Sequence, residues 1–315
     1  MLDDWGARSG RWAGIRSDVI DVRGTDVHVL RAGDDRDGTP QLLVHGLGGS
    51  STNWLDVLPG LAERGPVAAP DLPGFGRTQP PRPNATRVTS NARFLRALLH
   101  QLGWDRVQVH GNSMGGLITV LLADLEPARI DRLVLVSPAL PASRRQAAEI
   151  DRDTLIRFGP FLVPRFGQHV LGRAYDRMTP EEVHNDTVAY VMADPSRVSA
   201  ELSAVGLENV EYGRSQAWRL PGFATAAASL VRAVIGRRGL EGAMARIEAP
   251  TLVLWGDRDR LVGRPVIERI RRLRPDWVVE ELDGVGHAPM MEAPEHYIRS
   301  VASWLAETPP VPSTS

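Results

Sequence analysis

A serine flanked by glycines is the first feature of this chain that could do chemistry. Gly111, Ser113 and Gly115 spell G-x-S-x-G between a β-branched run that ends at His110 and a helix-compatible run after Gly116. The pattern is typical of a serine held on a strained strand-to-helix turn, where the glycines leave room for the backbone. The alternative is a glycine-rich turn that merely opens a helix. The pattern therefore predicts a nucleophile only if its chemical partners occur elsewhere in the chain.

A serine hydroxyl needs a general base and an acid that orients this base, because a free hydroxyl is a poor nucleophile near neutral pH. These partners are expected in the order Ser, Asp or Glu, His, each in a loop that follows a strand. The predicted strand 251–255 leads into a loop with Asp257 and Asp259, and the predicted strand 277–282 leads into a glycine-rich loop with His287. We therefore predict His287 as the base and one of the two aspartates as the acid.

The elements that must position these residues alternate between strands and helices. Short apolar runs, such as 41–44 and 130–137, are typical of strands that are buried on both faces. Segments with helical periodicity separate them, and two β-favouring runs, 17–22 and 27–32, predict an opening hairpin. The alternation predicts an α/β fold with a mostly parallel, doubly wound sheet.

The character of the chain changes between residues 141 and 245, where helical stretches follow one another without a strand-like run. We predict an inserted all-helical cap at 141–245, between a first core segment at 1–140 and a second at 246–308. Residues 1–16 show no clear hydrophobic period, so we predict that they form a loosely packed arm. The Pro/Ser/Thr-rich tail, 309–315, is expected to be disordered.

Composition restricts partners and compartment. The chain of 315 residues has a formal net charge of -1, which favours neither a nucleic-acid partner nor attraction to an anionic membrane. Cysteine is absent, which excludes disulfides and thiolate chemistry, and we predict no metal and no cofactor. No stretch approaches the roughly 20 apolar residues that span a bilayer, and the N-terminus lacks a signal-peptide pattern. We expect a cytoplasmic protein with a small-molecule substrate; its oligomeric state is open, with a homodimer among the options.

Five motifs together resemble those of an α/β-hydrolase-fold serine hydrolase, in the branch that carries a helical cap. The motifs are His45-Gly46-Leu47-Gly48, Asp71-Leu72-Pro73-Gly74-Phe75-Gly76, Gly111-Asn112-Ser113-Met114-Gly115-Gly116, Trp255-Gly256-Asp257-Arg258-Asp259 and Gly286-His287-Ala288-Pro289. The resemblance covers nearly all of residues 17–307. It implies an esterase- or lipase-like enzyme that is related to carbon–carbon bond hydrolases.

The resemblance also implies roles for individual residues. In the family the acid of W-G-x-x-D is the last residue, which assigns this role to Asp259; Asp257 is then expected to hydrogen-bond its own backbone. One oxyanion donor is the backbone N–H after the nucleophile, here Met114. The other comes from the H-G-x-G loop, here Leu47, with Gly48 as the alternative.

Substrate contacts are predicted in the loops around the serine and on the cap. The predicted contacts are His45, Gly46, Asn112, Phe158, Phe161 and Trp218. For His45 and Asp71 a second interpretation, organisation of the loops beneath the nucleophile, is favoured because their motifs recur in members with unrelated substrates. Cap arginines such as Arg157, Arg165 and Arg219 could bind a substrate carboxylate, but a role on the solvated surface is favoured because the chain is rich in arginine. The apolar cap favours an ester with a medium-sized acyl or aromatic group.

A serine in the G-x-S-x-G turn implies attack on a carbonyl, an acyl-enzyme and the hydrolysis of this acyl-enzyme by a water that His287 activates. The turn motif with Asn112 before the serine resembles that of carbon–carbon hydrolases of aromatic ring-cleavage products. The run from Ala288 to Glu292, in contrast, resembles that of esterases and lipases. We therefore predict a carboxylic-ester hydrolase. The alternatives are a carbon–carbon bond hydrolase of a vinylogous 1,5-diketone and, from another class, a non-catalytic ligand-binding homologue.

Overall fold

The computed structural model describes residues 4–142, 156, 159–236 and 238–308. A helix predicted at 143–158 lies almost entirely outside these residues, and so do Phe158 and the tail 309–315.

One sheet organises the described residues. Its strands, in chain order, are β1 (Arg16–Asp21), β2 (Asp26–Ala32), β3 (Gln41–Val44), β4 (Val67–Pro70), β5 (Val107–Asn112), β6 (Ile130–Val136), β7 (Thr251–Gly256) and β8 (Val278–Leu282). Their order in the sheet is β1-β2-β4-β3-β5-β6-β7-β8. β2 pairs antiparallel with β1 and β4, and the pairs from β4 to β8 are parallel. The predicted mostly parallel sheet with an opening antiparallel hairpin is confirmed.

Helices connect the parallel strands. They are α1 (Leu58–Ala62), α2 (Val88–Gln101), α3 (Met114–Leu125), α4 (Pro164–Arg177), α5 (Pro180–Val191), α6 (Ala200–Arg214), α7 (Arg219–Ile235), α8 (Arg238–Arg246), α9 (Arg264–Leu273), α10 (Pro289–Glu292) and α11 (Pro294–Glu307). The five helices α4 to α8 lie between β6 and β7 in the chain, so the predicted helical insertion is present. The sequence did not predict α8 as a helix.

A separate hydrophobic core covers each face of the central strands. Successive side chains of a strand point to opposite faces, so alternate residues belong to different cores. In β6, Leu133 and Leu135 belong to a core that includes α2, α3, α8 and α9. Val134 and Val136 of the same strand belong to a second core that includes α1 and α11. Two such cores explain why the central strands are continuously apolar, and they confirm the predicted doubly wound arrangement.

The N-terminal segment is packed against the second core, so the predicted loose arm is wrong. Trp12 and Ile15 are fully buried, and Trp5 is nearly so. The indole N–H of Trp12 donates to Asp56 Oδ1 at 2.7 Å, and that of Trp5 donates to Ser17 Oγ at 3.0 Å. Large aromatic surfaces with a satisfied N–H stabilise a segment that has no regular period. Periodicity could not reveal it, because each tryptophan lies in a separate short 3₁₀ turn.

Two predicted helices begin later in the structure than the sequence predicts. The stretch predicted as a helix at 52–63 begins with a 3₁₀ turn at Ser51–Trp54 and continues as α1. The helix predicted at 292–307 is α11, which begins two residues later at Pro294. A proline lies in the first turn of α1 and of α11, where its missing N–H and fixed φ favour the start of a new helix.

None of the described helices is both long enough and apolar enough to cross a bilayer. Within the described part of the chain, His, Asp and Glu side chains form no group of three that could hold a metal ion.

Candidate active site

Ser113 occupies a turn with an unusual backbone conformation. β5 ends at Asn112, α3 begins at Met114, and Ser113 between them has φ 55° and ψ -116°. This region is sparsely populated for residues other than glycine, so the surrounding structure must hold the serine there. The Ser113 N–H donates to the Val136 carbonyl of β6 at 2.9 Å, which ties the turn to the sheet. Met114 is the first residue of α3. Its N–H therefore has no intrahelical acceptor and lies at the positive end of the helix dipole.

The flanking glycines are required by close backbone contacts. A Cβ on Gly111 would lie 2.4 Å from Thr119 Oγ1 and 2.6 Å from the Gly115 carbonyl oxygen. A Cβ on Gly115 would lie 2.3 Å from the Val44 carbonyl oxygen of β3. No side chain fits at either position, so the G-x-S-x-G pattern here reflects the geometry of the turn.

The loop after β3 lies against this turn and is organised by His45. A Cβ on Gly46 would stand 3.2 Å from Ser113 Cβ, so this glycine lets the loop backbone approach the serine. The buried His45 ring donates from Nδ1 to the Gly46 carbonyl at 2.8 Å and accepts at Nε2 from the Leu72 N–H at 3.0 Å. Gly46 C=O and Leu47 N–H belong to one planar peptide and point in opposite directions. His45 therefore directs the Leu47 N–H, the predicted second oxyanion donor, away from its ring.

Asp71 organises the neighbouring loop. Its Oδ1 accepts from the Ser51 N–H at 2.6 Å, and its Oδ2 accepts from the Arg77 N–H at 2.8 Å and from His28 Nδ1 at 2.9 Å. Burial by itself would raise the pKa of Asp71, but the hydrogen bonds, with His28 foremost, hold it at about 2. Contacts of this kind favour the organising role for both His45 and Asp71.

Two buried histidines make the stability of the fold sensitive to mild acid. Burial lowers the pKa of His45 to about 4 and that of His110 to about 3, from 6.5. The unfolded chain therefore binds protons that the folded chain excludes until the pH is much lower. We expect the free energy of unfolding to fall as the pH drops from about 6.5 toward 4, by up to about 1.4 kcal/mol per pH unit for each histidine. Urea unfolding across this pH range measures the slope.

His110→Gln provides the matched test of this slope. His110 lies on β5, and its Nδ1 forms a hydrogen bond with the Tyr297 hydroxyl at 2.5 Å. Glutamine removes the titrating group from this site. We expect a shallower dependence of the unfolding free energy on pH, whatever the absolute stability of the variant. His100→Gln, at an exposed position of α2, should keep the wild-type slope. Equal slopes in all three proteins would contradict the assignment.

The predicted base meets one of the two predicted acids. His287 Nδ1 donates to Asp259 Oδ2 at 2.8 Å, and both side chains are buried. Asp259 Oδ1 accepts from the N–H groups of Leu261 at 2.8 Å and Val262 at 2.9 Å. These bonds orient the carboxylate and place the proton of the neutral imidazole on Nδ1. His287 Nε2 is then the basic nitrogen.

Asp257 is exposed and bonds elsewhere. Its Oδ1 accepts from the Gly284 N–H at 2.7 Å, so it joins the loop after β7 to the loop after β8. The expected loop-stabilising role of Asp257 agrees with this bond, but the expected partner is wrong: the carboxylate accepts from the loop after β8 and not from its own backbone. The geometry thus separates the two aspartates that local sequence left as alternatives.

The backbone of His287 is held from two sides. Its N–H donates to the Val191 carbonyl at the end of α5, at 2.8 Å. Its carbonyl accepts from Asn112 Nδ2 at 3.1 Å, and the same amide donates to the Val136 carbonyl at 3.2 Å. Asn112, predicted as a substrate contact, therefore joins the turn of Ser113 to the loop of His287. This bond places the predicted nucleophile and base in adjacent loops.

A cavity of about 440 Å³ lies where the cap meets the loop after β3. It is lined by Gly48, Leu171, Gly172, Tyr175, Asp176, Met178, Gly213, Arg214, Gln216, Arg219, Leu220 and Phe223. Phe161 packs edge-on against Phe223 at a centroid distance of 5.6 Å, beside Leu47. Trp218 is half-buried directly before α7. Of the predicted cap contacts, Phe161 thus supports the cavity wall, and Phe158 lies outside the described residues.

Arg219 is turned inward, and its predicted place on the solvated surface is wrong. Its Nη2 donates to the Gly48 carbonyl at 3.2 Å, and its guanidinium carbon lies 5.5 Å from the centre of the Phe75 ring. Burial lowers the pKa of Arg219. Within the described residues its buried Nη1 has no hydrogen-bond partner. The cap therefore supplies a cation with unused donor capacity beside the cavity.

Several residues of the site escaped the sequence prediction. Leu171 and Tyr175 line the cavity but carry no local pattern that marks them. Glu292 is buried and accepts three backbone hydrogen bonds near His287. The sequence offered one signal for Glu292: it is an acid that directly follows two methionines in the run after His287.

Comparisons with known proteins identify the fold family of this chain. Residues 40–294 match the family model described as alpha/beta hydrolase fold. A Pseudomonas putida 2-hydroxy-6-oxononadienedioate/2-hydroxy-6-oxononatrienedioate hydrolase is 28% identical over 95% of this chain and 97% of its own length. Lipase 3 of Moraxella sp. is 29% identical over 85% of this chain and 78% of its own. The crystal structure of a bacterial membrane phospholipase A superposes with a TM-score of 0.69 at 26% identity, and covers 96% of this chain and 88% of the other. This chain therefore belongs to the α/β hydrolase fold family.

Proposed function

We propose that this protein is a carboxylic-ester hydrolase in which Ser113 is the nucleophile, His287 the base and Asp259 the orienting acid. The observation that carries the proposal is the buried hydrogen bond from His287 Nδ1 to Asp259 Oδ2, in a loop that Asn112 ties to the strained turn of Ser113. This arrangement supplies an oriented base in the loop that is tied to the turn of the half-buried Ser113, and acyl transfer requires such a base.

The chemistry follows the positions of these groups. Ser113 Oγ attacks the ester carbonyl and gives its proton to His287 Nε2. The tetrahedral oxyanion accepts hydrogen bonds from the N–H groups of Met114 and Leu47, at the positive end of α3. Collapse of this intermediate expels the alcohol, which takes the proton from His287. A water activated by His287 then hydrolyses the acyl-enzyme on Ser113.

The cavity supports an ester with a medium-sized apolar or aromatic group. Leu171, Leu220 and Phe223 contribute apolar surface to its wall, and Phe223 contacts Gly48 of the loop that carries the oxyanion donor. A Cβ on Gly48 would lie 3.1 Å from the Phe223 ring. An apolar group of the substrate that contacts this wall would lie beside the loop that carries the predicted oxyanion donor Leu47.

One observation favours a second candidate function, cleavage of a carbon–carbon bond in a vinylogous 1,5-diketone. Arg219 presents an unpaired Nη1 beside the cavity, and guanidinium groups are suited to carboxylates. The P. putida relative is named for the hydrolysis of a dioate. The run from Ala288 to Glu292 after His287 resembles that of esterases and lipases, so the ester reaction stays the first candidate.

Two experiments test the proposal: labelling with a fluorophosphonate probe, and a turnover assay with a panel of p-nitrophenyl esters. We expect one covalent label on Ser113 and a burst of p-nitrophenol before steady turnover, because acyl-enzyme formation precedes its hydrolysis. A vinylogous 1,5-diketone with a carboxylate, assayed beside the esters, separates the two reactions. Faster turnover of the diketone would assign the second function. Absence of both label and burst would leave a non-catalytic ligand-binding protein.

A further inference from the structure

The segment that follows α5 lies directly on the loop of His287. We call residues 191–194 the cap strap and residues 283–288 the base loop. The His287 N–H donates to the strap carbonyl of Val191 at 2.8 Å. A Cβ on Gly286 would lie 2.5 Å from the Ala193 nitrogen and 2.6 Å from the Val191 carbonyl oxygen. The two segments thus meet backbone to backbone, which only glycine at position 286 permits.

A single buried carboxylate bridges these segments. Glu292 Oε2 accepts from the N–H groups of Gly286 at 2.7 Å and Ala193 at 3.2 Å, and Oε1 accepts from the Asp194 N–H at 2.8 Å. One of the three donors belongs to the base loop and two belong to the strap. Glu292 is only 3% exposed, so these bonds are not in competition with bulk water. Charge-assisted bonds of this kind are stronger than neutral ones.

We propose that Glu292 is a positioning residue that couples the cap to the predicted base. It holds the strap on the base loop, and the strap in turn holds the backbone N–H of His287 through Val191. The ring of His287 is oriented by Asp259, but the position of its backbone depends on the strap and on Asn112. Loss of the bridge would let the base move relative to Ser113. This inference rests on the proposed function, since it assumes that His287 is the base.

Glu292→Gln is the informative variant, because glutamine has nearly the same shape but only one acceptor oxygen. Its NH₂ group must then face at least one of the three N–H donors. We expect kcat for ester hydrolysis and the rate of fluorophosphonate labelling to fall by about 10- to 100-fold, since a shift of about 1 Å in a reacting group has an effect of this order. KM should stay near the wild-type value.

Glu295→Gln is the matched control, because Glu295 is exposed and lies three residues later in the chain. It should keep wild-type rates. Hydrogen–deuterium exchange gives a direct readout of the bridge: in Glu292→Gln, the amides of the strap and of Gly286 should exchange faster than in the wild type. A merely structural role would lower the melting temperature and leave the rate per folded molecule unchanged.

Arg197→Gln tests the same coupling if Glu292→Gln does not fold. Arg197 follows the strap and donates from Nη1 to the Gly284 carbonyl of the base loop at 2.9 Å, at an exposed position. We expect faster exchange of the strap amides together with a smaller fall in kcat. Faster exchange with wild-type labelling of Ser113, in either variant, would overturn the proposal. If wild-type Ser113 is not labelled at all, the proposed function itself fails, and the two failures are distinct.

Discussion

Ser113→Ala is expected to lower kcat for ester hydrolysis by about 10⁶-fold and to abolish labelling by a fluorophosphonate probe. Alanine keeps the Cβ on the same strained backbone and removes only Oγ, so the fold should persist while the acceptor of the acyl group is lost. Binding and the oxyanion donors remain, and they leave a small residual rate. Intact-mass spectrometry after probe treatment and a burst assay measure the loss.

Ser137→Ala is the matched control for this variant. Ser137 directly follows β6, is buried, and also has a positive φ, of 44°. Within the described residues its Oγ has no hydrogen-bond partner. The Ser137 variant should react with the probe as the wild type does. A label that persists in Ser113→Ala and disappears in Ser137→Ala would assign the nucleophile to the other serine.

Asp259→Asn is expected to lower kcat by about 10⁴-fold, through the tautomer of His287. The N–H groups of Leu261 and Val262 both require the oxygen of the new amide, because each can only donate. The amide NH₂ must then donate to His287 Nδ1. The imidazole proton moves to Nε2, which can no longer accept the proton of Ser113. Steady-state kinetics on a p-nitrophenyl ester measures this loss.

Asp257→Asn is the comparison that decides between the two aspartates. Asparagine keeps an oxygen for the Gly284 N–H, so only the charge of this exposed bond is lost. We expect a loss of at most about fivefold, corresponding to about 1 kcal/mol. If Asp257→Asn caused the larger loss, the acid would have to be reassigned to Asp257.

Local sequence was sufficient for the elements that depend on backbone periodicity and turn chemistry. The apolar runs of β3 and β6 and the hairpin of β1 and β2 were predicted because burial on two faces, or on one, produces a distinct pattern. The turn at Ser113 was predicted because its backbone excludes any side chain at Gly111 and Gly115. The packed N-terminal segment was missed because two isolated tryptophans form no period.

By itself, the sequence determined the α/β fold with its helical insertion and the residue types available for acyl transfer. Only the tertiary structure decided which of them meet. Asp259, and not Asp257, contacts His287, 28 residues away; Arg219 turns inward to Gly48 across 171 residues; Glu292 reaches Asp194 across 98. Period and turn type are properties of neighbouring residues, whereas these contacts depend on how distant loops converge at one edge of the sheet.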